Sequence, residues 1–127
     1  MEKQGEAGER PARYDFEKLE VYQKALGFAE AIFETTERFP QRVQYSLGDQ
    51  LRRAALSICN NIAEGSQKRG PAKRQFYGYA LDSARECVPM IELCSRRRLI
   101  NPEEWGRLGE ACFGIASMTY ALIRSVQ

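Results

Sequence analysis

Between Gln50 and Gly65, in QLRRAALSICNNIAEG, the side chains of Gln50, Arg53, Ser57, Asn60, Asn61 and Glu64 place amides, a hydroxyl and both signs of charge at helical spacing. At about 100° per residue they form a stripe beside a second, apolar one made by Leu47, Leu51, Ala54, Ile58 and Ile62. An acid, a cation and two amides could make a polar pocket for acid–base work, but no other catalytic part accompanies them, and structural hydrogen bonding is the simpler chemistry. Asparagine is a weak helix former, so two of them in mid-helix need a reason. Arg53 and Glu64 share an azimuth but stand about 16 Å apart along the axis at the 1.5 Å rise, too far to pair with each other in one helix. The stripe therefore predicts an interface in which Arg53 of one copy meets Glu64 of another and the asparagines set register, as buried polar groups do in coiled coils. A solvated face beside the core is the alternative.

Much chemistry is excluded by what the chain lacks. There is no histidine, which removes the commonest general base, the commonest metal ligand and the Glu-x-x-His pair of di-iron bundles. Cys59, Cys87, Cys94 and Cys112 form no C-x-x-C pair, and only Cys87 and Cys94 fall on one helix, at a spacing unsuited to zinc. They read as reduced core thiols. No phosphate-binding loop, dinucleotide fingerprint or nucleophile elbow occurs. The expectation is a protein that is not an enzyme, with no cofactor and no metal.

The net charge of +2 hides a strong segregation. Residues 1 to 41 carry a net of −3, residues 42 to 98 a net of +6, and residues 99 to 127 a net of −1. Within the basic part Lys68, Arg69, Lys73 and Arg74 make one cluster, and Arg96, Arg97 and Arg98 another. Such groups contact phosphates without reading sequence, so RNA or DNA is a candidate partner. Tyr77 and Tyr79 beside the first cluster could stack on bases, although Tyr77 suits the core better. Two alternatives stay open: the clusters solvate helix ends, with the triple arginine complementing a helix dipole, or they meet an acidic protein.

These residues need elements to hold them. The polar, glycine-bearing residues 1 to 13 read as a disordered leader, and structure should begin near Tyr14 to Phe16 with Asp15 as a cap. Leu19, Tyr22, Leu26, Ala29, Phe33 and Thr36, widened by Ala25, Ile32 and Phe39, predict a first amphipathic helix that Pro40 ends. Ser46 and Asp49 form a short capping-box variant for the second helix, which Gly65 and then Gly70-Pro71 stop. The third carries Phe76 or Tyr77, Ala80, Ala84, Cys87, Ile91 and Cys94 inward and should kink at Pro89 without breaking. Asn101-Pro102-Glu103-Glu104 caps a fourth, whose Trp105, Leu108, Cys112, Ile115, Thr119, Leu122 and Val126 alternate by three and four.

With 127 residues, 43% hydrophobic and 28% charged, the chain predicts one globular domain over 14–127. Four helices joined by short loops predict an all-α, antiparallel up-down-up-down four-helix bundle. The two basic clusters then sit at opposite ends of the third helix, roughly 35 Å apart. No run approaches the ~18 apolar residues of a membrane span and no secretory core is present, so a cytoplasmic protein with no membrane contact is expected.

The order F-x-x-L-x-V-Y-x-x-A at Phe16 to Ala25, the Phe39-Pro40 helix end and QLRRAALSICNNIAEG followed by a basic loop together resemble the four-helix bundle proteins encoded in intervening sequences of bacterial 23S ribosomal RNA genes. The similarity covers about residues 14 to 126. It implies an antiparallel bundle, a ring-shaped homopentamer, and a distant relation to accessory variability proteins of diversity-generating retroelements, which bind nucleic acid and a reverse transcriptase. The matching positions are Gln50, Arg53, Ala54, Ser57, Ile58, Asn61, Ile62, Ala63, Glu64 and Gly65. Downstream the chain departs, with Glu86, Cys87 and Met90 where the family has Gly, Ser and Glu. The expected protein is thus a homo-oligomeric bundle associated with nucleic acid, with a protein-interaction module facing an acidic partner as the alternative.

Overall fold

The structure, a computed structural model, describes residues 10–127. The first nine residues of the expected leader lie outside the described residues. Glu20–Glu37 forms α1, Asp49–Ser66 α2, Gly70–Arg96 α3 and Pro102–Ser125 α4, with no strand among the described residues. The chain is an all-α four-helix bundle. Helix α1 lies against α2 and α4, α2 against α3, and α3 against α4. Along α3 and α4 the contacts step in opposite directions: the Cys112 thiol meets the Ala84 carbonyl, and Trp105 meets Glu92. The same holds between α2 and α3, where Ser57 meets Ser83 and Gly65 meets the Tyr77 ring.

Most of the expected apolar residues turn inward, with one shift of phase on α1 and with Trp105 of α4 left 46% exposed, its indole bonded to Glu92 on the surface. Leu51, Ile58 and Ile62 of α2 are buried, as are Tyr77, Ala80, Ala84, Cys87, Ile91 and Cys94 of α3 and Leu108, Cys112, Ile115 and Thr119 of α4. On α1 the buried stripe is Val21, Ala25, Phe28, Ala29, Ile32 and Thr36, while Leu26 is exposed and Tyr22 and Phe33 only partly covered. The core of α1 is therefore centred about one residue earlier than the expected run through Leu26 and Phe33. Contact with α2 on one side and α4 on the other fixes that centre, and a stripe nearly as apolar is left at the margin.

The helix ends obey local chemistry unevenly. Asn101 caps α4 as expected: its side chain accepts the Glu104 amide at 2.8 Å, and the Glu104 carboxylate accepts the Asn101 amide at 2.9 Å. Asp15 does not cap α1. It stands in a separate 3-10 turn, Asp15–Lys18, held where the Tyr14 amide donates to the Glu17 carboxylate at 3.0 Å, and Leu19 then opens α1. Ser46 does not cap α2 either. A helical turn at Gln41–Val43 passes into a π-helical turn, Gln44–Gly48, that runs straight into α2, so the Asp49 amide has a backbone partner and the Ser46 hydroxyl donates to the Val43 carbonyl at 3.4 Å. Pro89 lies inside an unbroken α3, exposed, so its ring faces water where loss of one amide is cheapest.

Candidate functional site

The polar row of α2 divides in two. Gln50, Arg53, Asn60 and Glu64 are exposed, whereas Ser57 and Asn61 are partly buried in the seam against α3. The Asn61 amide donates to the Ser57 carbonyl and hydroxyl at 2.9 and 3.0 Å, and the Ser83 hydroxyl of α3 donates to that of Ser57 at 2.8 Å. Two of the six residues, Ser57 directly and Asn61 through it, thus tie α2 to α3 within one chain. Arg53 pairs with Asp49 at 3.0 Å and Glu64 with Lys68 at 3.3 Å, each across one helical turn. Neither charge needs a second chain to be compensated, and exposed pairs of this kind contribute only about 0.3–0.5 kcal/mol.

Sequence reasoning passed over the neighbouring Arg52, which is the better-held cation. Its guanidinium donates to the Thr36 hydroxyl at 2.9 Å, the Gln44 side-chain oxygen at 3.2 Å and the Gln44 carbonyl at 2.9 Å. Gln44 in turn donates to the Thr36 and Phe39 carbonyls at 2.7 and 3.0 Å. This network caps the end of α1 and holds the π turn against it, giving the Thr36 carbonyl a second donor beside the Phe39 amide and the Phe39 carbonyl a side-chain partner. Thr36 at the end of an apolar stripe was the available signal.

The basic residues gather at the two ends of α3. At its start Arg69 is the N-cap and makes no side-chain cap bond, and Gly70 follows with φ +54°. Lys68 lies over the Phe76 ring at 5.6 Å and Lys73 over the Tyr77 ring at 5.2 Å, with the Lys73 ammonium 3.3 Å from the Ser66 carbonyl. Arg74 reaches the Val126 carbonyl at 3.4 Å, which brings the end of α4 beside the cluster, while Arg124 lies over the Tyr120 ring at 5.9 Å. Arg69, Lys73, Tyr77, Leu122 and Val126 line an open cavity of about 400 Å³ there. Leu122 and Val126 were not among the expected site residues, since only the pairing of α3 with α4 brings them to the cluster. Tyr77 is core, while Tyr79 is exposed and packs edge-on against Phe76. At the far end of α3 Arg96 pairs with Glu92 at 3.1 Å, and Arg97 and Arg98 are exposed, Arg98 with φ 60°.

The four thiols are buried and unbridged. Burial pushes Cys59 and Cys94 up to about 11, and a hydrogen bond with Cys112, added to burial, raises Cys87. Cys59, Cys87 and Cys94 are thereby poor nucleophiles, and Cys112 is kept from reagents by burial alone. Among the described residues no group of three His, Cys, Asp or Glu side chains could hold a metal ion, and no helix is long and apolar enough to cross a membrane.

Residues 17–121 match the family model described as 23S rRNA-intervening sequence protein. Among solved structures the fold is similar to that of a protein of unknown function from the S23 ribosomal protein family of Bacteroides thetaiotaomicron. The TM-score is 0.76 at 24% identity, over 83% of this chain and 99% of that one, a likeness of fold. No curated protein matches the chain.

Proposed function

The chain belongs to the 23S rRNA-intervening sequence protein family, and from that premise we propose that it is a non-catalytic, self-associating four-helix bundle that holds RNA or DNA by the phosphate backbone. One observation carries the reading: Lys68, Arg69, Lys73 and Arg74 gather where α3 begins without a side-chain cap, with the end of α4 held beside them by Arg74. Free amides at a helix N-terminus and a ring of cations attract the same ligand, a phosphate. No element here offers a row of side chains to base edges, so binding is weak in sequence preference and strong in salt dependence. The Arg96, Arg97 and Arg98 end supplies a second contact. Self-association, with exposed Gln50, Arg53, Asn60 and Glu64 of α2 at the contact, multiplies both through avidity.

The test is a titration of fluorescent single-stranded and duplex ligands at two salt concentrations. Replacing Lys68, Arg69, Lys73 and Arg74 by Gln weakens binding to all sequences and lowers the slope of log affinity against log salt by about 3, at roughly 0.7–0.9 per phosphate contact. Unchanged affinity in that variant and in one lacking Arg96, Arg97 and Arg98 overturns the reading in favour of an acidic protein partner.

A further inference from the structure

The two basic ends of α3 are joined along the molecule by the outer seam between α3 and α4. On the α3 side of α4, Trp105, Phe113 and Tyr120 follow one another at steps of about 12 and 10 Å by the 1.5 Å rise. All three rings are exposed, Phe113 by 73%. The Trp105 indole donates to Glu92 at 3.1 Å and the Cys112 thiol to the Ala84 carbonyl at 3.0 Å, which sets the register of the two antiparallel helices. In that register Arg85 of α3 stands level with Phe113, while Arg96 and Arg74 stand about one turn beyond Trp105 and Tyr120. Each ring thus has a guanidinium within a turn of it.

Arg74 and Arg85 are exposed, and neither forms an ion pair with a described residue. Glu92, the carboxylate on the seam, is taken up by Arg96 and by the Trp105 indole, both at 3.1 Å. Asp82 and Glu110 stand about 60° farther round their helices than Arg85 and Phe113, away from the seam. Between the rings the surface is low. A Cβ added at Gly109, between Trp105 and Phe113, or at Gly78, level with Tyr120, would meet nothing within 4 Å. The packing of the bundle therefore does not call for glycine at either place, although each weakens its helix, and the missing side chains leave room beside the rings.

Separated rings, each with a cation beside it, suit a polymer that alternates flat bases with phosphates. A protein partner would be met by one contiguous apolar centre with the charges at its rim. Aromatic side chains stack on base faces, and only an unpaired strand offers them, since in a duplex each face is covered by the next base pair. Resting on the phosphate-backbone binding just proposed, we infer that the α3/α4 seam is a track for single-stranded nucleic acid. Its bases stack on Trp105, Phe113 and Tyr120 while Arg74, Arg85 and Arg96 hold the phosphates, so that one strand runs from one basic end of α3 to the other.

The test titrates the full chain with a single strand, with the duplex it forms with its complement, and with polyglutamate as an anion without bases, at two salt concentrations. Trp105 is the one tryptophan of the chain and reports directly: the single strand quenches its emission, whereas the duplex and polyglutamate do not. The single strand binds on the order of tenfold tighter than the duplex. Phe113→Leu keeps an apolar, helix-favouring side chain at an exposed position, so helical circular dichroism stays at the wild-type level. It weakens single-strand binding about tenfold without changing the salt slope or the duplex affinity, and Phe113→Tyr binds like wild type. Arg85→Gln weakens the single strand and lowers its salt slope by about 0.7. A duplex bound as tightly as the single strand, an unquenched Trp105, or a Phe113→Leu variant that binds the single strand like wild type overturns the track and leaves backbone binding in place. Polyglutamate bound as tightly as the single strand, and weakened equally by Phe113→Leu, overturns it in favour of an acidic protein. A chain that binds neither nucleic acid overturns backbone binding, and the track with it.

Discussion

Glu104 joins two helices through one carboxylate, accepting the Asn101 amide of its own cap and pairing with Arg38 at the end of α1. The Asn101 hydrogen bond, seconded by the Arg38 guanidinium, holds its carboxyl below the usual 4.5. A pKa lowered by folding means that the unfolded chain binds the proton more readily. The stabilisation is therefore present above pH 4.5 and is lost as the pH falls through the folded value. Glu104→Ala is expected to cost about 1 kcal/mol at neutral pH, the worth of a cap. In urea unfolding at pH 7 and pH 3 the gap between variant and wild type narrows at the acid end. Gly65 shows the opposite kind of residue, one whose role is invisible in local sequence. Expected as a helix stop, it lies buried inside α2, where an added Cβ would come within 2.7 Å of the Tyr77 ring. Gly65→Ala gains helix propensity yet is expected to destabilise by about 1–3 kcal/mol through overpacking, read as a lower urea midpoint.

At the level of elements, the signals that survived folding were those that both local chemistry and packing demanded. The Asn101 cap and the three-four alternation of α4 are of that kind. The Ser46 signal failed because Pro40 and the π turn had already supplied helical backbone upstream, leaving the Asp49 amide nothing to ask of a hydroxyl. Pro89 is tolerated rather than required, since α3 runs on through it with the ring in water. Pro89→Ala restores an amide to the Arg85 carbonyl. It is expected to raise stability by about 1 kcal/mol, part of the ~3 kcal/mol that an interior proline costs. The check is the urea midpoint of the variant, with the secondary structure unchanged.

The whole molecule keeps its four thiols behind the packing of all four helices, and their chemistry reports on the integrity of the fold. With every cysteine buried and Cys59 and Cys94 pushed up to about 11 by burial, Ellman's reagent at pH 8 is expected to modify none of them in the native protein. In denaturant it modifies all four. A thiol that reacts natively would mark a local opening of the helix that carries it. The charge segregation has the same global character, because acidic α1 and basic α3 lie diagonally across the bundle, each packed on α2 and α4.

The number and order of the helices, the Asn101 cap, the burial of the thiols and the helical periodicity of the α2 row were legible in the sequence, because caps, proline stops and apolar period are set by neighbours within a turn or two. Which neighbour each flank meets was not. Ser57 meets Ser83 of α3 and Asn61 closes back on Ser57, Arg52 rather than Arg53 is the anchored cation, Arg74 reaches Val126 fifty-two residues on in the chain, and Leu26 and Phe33 give up the core to Val21 and Phe28. Periodicity fixes the angle between two side chains on one helix, but the rotation of that helix in the bundle is settled by packing all four at once, and only the tertiary structure carries that solution.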